Sequence, residues 1–242
     1  MDKYNAINYL ILILSLFIFY FIQIYAFQYG YPTCKNYVTN TYLYLGLSVC
    51  YLYFIVNNFY NYDEYGFLSF VLGIFILIYM TINIPKTKKG ILINHILWFL
   101  FLTCLSFMII PLINISSKKK IFFAFAITFL IFVIMSLIVY IFPKFFEKTF
   151  NFVFPGLFLS LIIIIIIELY YLFIQKEYPE NIFRFISYIV IILFSIYISY
   201  DTQLMFLEAK TCRKYANYPK SSLKFILDLV NIFVRTLSLQ RR

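Results

Sequence analysis

Charge is what this chain has least of. Asp, Glu, Lys and Arg make up 12% of its 242 residues, against about 25% in an ordinary soluble domain. Hydrophobic residues make up 64%, against about 45 to 50%, and the mean hydropathy is +0.89. A solvated globule is excluded. His95 is the only histidine, so a histidine-based metal site has no second imidazole to draw on, and His95 reads as a packing or interfacial residue. The four cysteines, Cys34, Cys50, Cys104 and Cys212, show no CxxC or metal-ligand spacing. Three of them fall in or beside apolar segments, where a free cysteine behaves as a small hydrophobe. No G-x-x-x-x-G-K-[ST] loop and no EF-hand loop occurs, which leaves nucleotide-driven pumping and calcium sensing of that type without a local basis. No arginine precedes Arg184. The sequence carries no catalytic constellation and asks for no cofactor, and its first partner is the lipid bilayer.

What the chain has instead is long apolar runs. Stretches of about 18 residues or more are the signature of a membrane helix, and eight are present, at roughly 8–29, 41–58, 66–85, 91–115, 121–142, 152–174, 181–205 and 222–239. Lipid cannot satisfy backbone polar groups, so spans of this length must be helical. The expected fold is an all-α polytopic membrane protein. The short connections at 58–65, 86–90, 116–120, 143–151 and 175–180 leave no room for a soluble domain. The longest, 206–221, carries Glu208, Lys210, Arg213, Lys214 and Lys220 and reads as a solvated basic loop.

The net charge of +10 is spread over these loops and is no nucleic-acid footprint. With eight spans, ten Lys and Arg residues fall on the side holding Lys35 and Arg213, and eight on the side holding Lys3 and Lys118. That small excess places the segment at 41–58 entering from the cytosol. A cleaved signal peptide is the rival reading of the first segment. The apolar stretch from Ile7 to Phe27 exceeds the usual 7 to 15 residues of such a signal, with Lys3 alone before it, so an uncleaved anchor over 1–40 is expected.

Against this background two aspartates stand out. Asp201 and Asp228 lie in the last two hydrophobic segments, where a lone ionised carboxylate costs about 2.5 to 3.5 kcal/mol on insertion scales. Asp201 is followed by Thr202 and Gln203, whereas Lys224, Asp228, Asn231 and Arg235 recur at steps of 4, 3 and 4 and form one stripe on a helix. That stripe fits either an interfacial helix with its polar side in water or a helix whose stripe faces a polar pathway. Glu168, after six consecutive isoleucines, is a third intramembrane acid, with Arg184 or Arg235 as a structural partner.

The words around the aspartates resemble a family. Tyr200-Asp201-Thr202-Gln203, a basic loop, and then Leu227-Asp228-Leu229-Val230-Asn231-Ile232-Phe233-Val234-Arg235 are similar to the carboxy-terminal signature of the transmembrane BAX inhibitor motif family. The likeness is specific over about 187–239. Upstream it is one of segment order, with Thr41-Tyr42 opening a span and Lys88-Lys89-Gly90 before another. The resemblance implies a seven-helix core over 41–242, with six helices around a central C-terminal one and the first hydrophobic helix extra to it. It implies an endomembrane resident, such as one of the endoplasmic reticulum, acting as a pH-sensitive calcium leak that modulates cell death, with cell-death regulatory membrane proteins as further partners.

On that reading Asp201 and Asp228 are the proton-sensing pair. Two carboxylates about 4 Å apart repel by about 4 kcal/mol at an effective dielectric near 20, so one proton is shared and the pair titrates as a unit. Calcium takes about six to eight oxygens, and two carboxylates with Thr202, Gln203 and Asn231 suit passage better than storage. Some relatives close the pathway with an early-span arginine, absent here, and Arg235 is the arginine on the stripe. A non-conducting scaffold for cell-death partners is the alternative. An intramembrane aspartyl protease is a remote one, since its Gly-x-Gly-Asp is replaced by Phe225-Ile226-Leu227-Asp228.

Overall fold

The structure, a computed structural model, describes residues 3–82, 87–175, 179–213 and 215–241. Among the described residues eight α-helices follow one another: α1 (Lys3–Tyr25), α2 (Tyr37–Asn58), α3 (Gly66–Ile82), α4 (Lys88–Asn114), α5 (Lys118–Ile141), α6 (Pro143–Tyr170), α7 (Glu180–Thr211) and α8 (Tyr218–Arg241). Each expected span coincides with one of them. Within α1, α2, α4, α5, α6 and α7 there are segments long and apolar enough to cross a membrane, α3 is a shorter apolar helix, and α8 is not among the apolar set. The protein is an all-α, multi-pass membrane protein. Of the loop charges, Lys86, Lys176, Lys214 and Arg242 lie outside the described residues.

Local chemistry sets several helix ends. Thr87 is extended and its hydroxyl accepts from the Gly90 amide at 3.1 Å, capping α4. Pro143 opens α6, at a position where its missing N–H leaves no bond unmade. Hydroxyls inside the apolar helices donate to the carbonyl four residues back, as Ser48 does to Tyr44, Ser106 to Leu102 and Thr128 to Ala124. These back-bonds hide a polar group from lipid without a second helix.

Four readings need correction. Helix α1 stops at Tyr25, and the remainder of that apolar run turns into a hairpin of β1 (Phe27–Gln28) and β2 (Tyr31–Pro32). Tyr29 and Gly30 take φ of 53° and 77°, the left-handed pair that a two-residue hairpin turn demands and that glycine supplies readily. The connection at 143–151 is helical, because Pro143 starts α6 at once. The expected loop at 206–221 is mostly helix: α7 continues to Thr211 and α8 begins at Tyr218. Its acid, Glu208, is not solvated but held by partners described below. Lastly, Cys34 and Cys212 are not free thiols but a disulfide with Cα atoms 5.7 Å apart.

The chain divides into two units, residues 1–115 with 207–226, and residues 116–206 with 227–242. In the first, Tyr44 of α2 lies with its ring 5.3 Å from both Trp98 of α4 and Tyr218 of α8. In the second, Ile186, Val190, Leu193, Phe194 and Ile198 form one face of α7, packed with Leu157 and Ile164 of α6 and Ile232 of α8. Recurrence at 4, 3 and 4 residues is the period of a helix face. Lipid is as apolar as these side chains, so close packing and polar contacts, not escape from water, hold such helices together.

Helix α8 differs from the others in its surroundings. From Tyr218 to Gln240 no side chain is exposed, and Phe225, Ile226, Ile232 and Leu237 are almost wholly inaccessible. A helix lying on a membrane surface with its polar stripe in water would show that stripe exposed. The enclosed helix is the form the structure has.

Candidate functional site

The two aspartates come together in the second unit. Asp201 follows Ile198 by three residues and so shares the packed face of α7, and Asp228 precedes Ile232 by four on α8. The two side chains are 8% and 5% exposed. Asp201 is a hydrogen-bonding partner of the Asp228 carboxyl. A hydrogen bond between two carboxyl groups needs a proton on one of them.

The other expected residues take different roles. Thr202 is fully buried and donates its hydroxyl to the Ile198 carbonyl at 2.7 Å, with Ser136 of α5 at 3.3 Å. Asn231 donates its amide to the Leu227 carbonyl at 2.8 Å. Both side chains thus bond to the backbone of their own helix. Glu168, near the end of α6, does not join them either: its carboxylate is ion-paired with Arg235, about two helical turns beyond Asp228. Arg184 pairs with Glu180 at 2.6 Å on an exposed surface of α7. The stripe on α8 is therefore divided between partners, with Arg235 engaged by Glu168 and Asp228 by Asp201.

Further buried polar atoms lie along α7 and α8. Gln203 is 4% exposed, and its side-chain oxygen has no protein partner among the described residues. The same holds for Oδ2 of Asp228 and the hydroxyls of Ser187, Tyr197, Ser199 and Thr236. Tyr197 interacts electrostatically with both aspartates. Its position, one turn before Asp201, is the only clue to it in the sequence. Buried oxygens of this kind are satisfied by water or an ion when protein supplies nothing.

A second polar cluster, unforeseen from the sequence, occupies the first unit. Glu208 accepts from Lys224 Nζ at 2.7 Å through one carboxylate oxygen, and from Ser221 at 2.8 Å and the Tyr37 hydroxyl at 3.1 Å through the other. Nearby, the Tyr218 hydroxyl donates to the Thr33 carbonyl and accepts from the Asn40 amide at 3.0 Å. These contacts fasten the start of α8 to α2 and to the end of α7.

Residues 34–241 match the family model described as inhibitor of apoptosis-promoting Bax1. The chain belongs to that family. The matched stretch of this Bax inhibitor family member takes in α2 through α8 and both aspartates, and α1 precedes it. A search among curated proteins found no match.

Proposed function

We propose that the protein is a pH-sensitive calcium leak of an endomembrane, such as the endoplasmic reticulum, that modulates stored calcium and through it cell death. It acts by conduction and needs no catalytic group or cofactor. The observation that carries this reading is the buried hydrogen-bonded pair Asp201–Asp228. Membership of the Bax inhibitor family supports it.

With one proton the pair bears a single negative charge and bridges α7 and α8. Loss of that proton removes the hydrogen bond and leaves two carboxylates facing each other, which drives the helices apart and presents two anionic oxygens to a cation. Calcium is the permeant species. It meets few fixed ligands, since no cluster of three or more His, Cys, Asp or Glu occurs among the described residues, and weak coordination lets an ion leave as readily as it enters. The unpartnered oxygens of Gln203, Ser199 and Tyr197 are suited to replace part of its hydration shell. With no early-span arginine, Arg235 is held by Glu168 and cannot at the same time close the pathway at Asp228.

Purified protein in calcium-loaded liposomes, assayed from acidic to alkaline pH, tests the reading. Flux that depends on pH and on Asp228 is the expected result. Equal flux from wild type, Asp228→Asn and empty vesicles at every pH overturns it and leaves a non-conducting scaffold for cell-death partners, in which the acid pair is a structural bond.

A further inference from the structure

The Cys34–Cys212 bridge joins residues 178 positions apart. Their Cα atoms lie 5.7 Å apart, which puts both cysteines on one face of the membrane, although six helices, α2 to α7, lie between them in the chain. The segments that carry them also meet without the bond. The ring of Tyr31 stacks on Tyr215 at 4.9 Å, the Ala216 amide donates to the Pro32 carbonyl at 3.4 Å, and the Tyr218 hydroxyl reaches the Thr33 carbonyl. The thiols are therefore brought together by contacts that outlast their reduction. Both cysteines are half-buried, within reach of exchange, whereas Cys50 is buried within α2.

We propose that this bridge faces an oxidising compartment, the lumen of an organelle or the exterior, and is a redox-responsive staple between the hairpin strap before α2 and the corner between α7 and α8. In its formation the two thiols lose two protons and two electrons as the Sγ–Sγ bond forms. The acceptor is a disulfide of that compartment, on a protein or on glutathione, which leaves as two thiols. A dithiol reductant runs the same exchange backwards.

Disulfides persist in oxidising compartments and are rare where glutathione and thioredoxin keep thiols reduced. The loop charges lean the other way, with ten Lys and Arg on the cysteine side against eight opposite. That bias is a count over short loops and a difference of two is small, whereas a closed bridge has a chemical requirement. The orientation is thus the reverse of the one the charges suggest: the connections at 58–65 and 115–117 face the cytosol.

The test uses the full chain in sealed microsomes, cytosolic face outward. Free thiols are first blocked with N-ethylmaleimide under denaturing conditions. The sample is then reduced and labelled with a maleimide-polyethylene glycol that shifts the band once per thiol. Wild type is expected to gain two labels after reduction and none before, while Cys34→Ser and Cys212→Ser each gain none. In a second arm, permeant N-ethylmaleimide blocks free thiols in intact vesicles, and a membrane-impermeant phosphine is added and quenched. The maleimide-polyethylene glycol applied after denaturation should then yield no label beyond a control without phosphine until detergent has opened the vesicles to the phosphine. Label gained without opening places the bridge on the cytosolic face and overturns the orientation, and no label after full reduction overturns the bridge itself. Reduction should also lower the unfolding midpoint of wild type in detergent by several degrees, to that of the Cys34→Ser, Cys212→Ser double variant, which reductant leaves unmoved. Equal midpoints in all four states would overturn the staple. None of these readouts involves ion flux, so they stand or fall apart from the leak.

Discussion

Replacing Lys224 with methionine removes a cation from a carboxylate that has been taken largely out of water. Nζ of Lys224 lies 2.7 Å from Glu208 Oε1, with the two side chains 23% and 30% exposed. Exposed pairs contribute about 0 to 1 kcal/mol, and breaking a fully buried pair by deleting one partner costs about 3 to 5 kcal/mol. At this partial burial the loss should be about 2 kcal/mol, because Tyr37 and Ser221 still donate to the other oxygen. Glu208→Gln should cost less, about 1 kcal/mol, since the amide keeps an acceptor for these donors and the freed ammonium can extend to water on its flexible stem. In the double variant no unpaired carboxylate remains, so its loss should fall short of the sum of the single losses by about 1 kcal/mol, as expected for residues in contact. Equilibrium unfolding of the purified protein in mixed micelles measures all three. A Lys224→Met variant within about 0.5 kcal/mol of wild type, or strict additivity, would refute the idea that this pair fastens α8.

Three further outcomes are expected. Asp228→Asn should keep its helical circular dichroism yet flatten the pH dependence of calcium flux from liposomes, because only one titrating carboxyl is left in the pair. Arg235→Gln leaves Glu168 without its cation and should lower stability by about 1 to 2 kcal/mol, a loss that Glu168→Gln in the same chain partly restores. Tyr218→Phe, which strips the hydroxyl from the Thr33 carbonyl and the Asn40 amide, should cost about 1 to 3 kcal/mol in the same unfolding assay.

Much of the frame was legible because most helices announce themselves locally. An apolar run of sufficient length needs no partner to be recognised, and six of the eight helices contain such a run, whereas α3 is shorter and α8 is held by its polar partners. The carboxyls of Asp201 and Asp228 stood out for the same reason, as charges where charge is costly. What could not be read depends on residues far apart in the chain. Glu208 looked like one more loop charge because its partners, Tyr37 and Lys224, lie 171 and 16 residues away. Four cysteines allow three pairings when all are bridged, and a separation of 178 residues leaves no trace in spacing. The hairpin at 27–32 was hidden by the apolar character of its own residues, with Gly30 and Pro32 the only signs of a turn. The stripe on α8 was visible as a pattern, but its division between Asp201 and Glu168 required the neighbouring helices.

The enclosure of α8 bears on how the protein is made. Lys224, Asp228 and Arg235 together would cost roughly 8 to 10 kcal/mol if each sat ionised at mid-bilayer in an isolated helix, so this segment is a poor candidate for release into lipid on its own. Each of the three finds its partner on a helix synthesised earlier: Glu208 and Asp201 on α7, and Glu168 on α6. By the time α8 leaves the ribosome all the acids it needs are already in the membrane. Its integration is then a docking event that follows the partitioning of α6 and α7, and a ribosome stalled before Tyr218 should leave Glu168 and Glu208 without their cations, in a form that quality-control machinery of the membrane can tell from the finished protein.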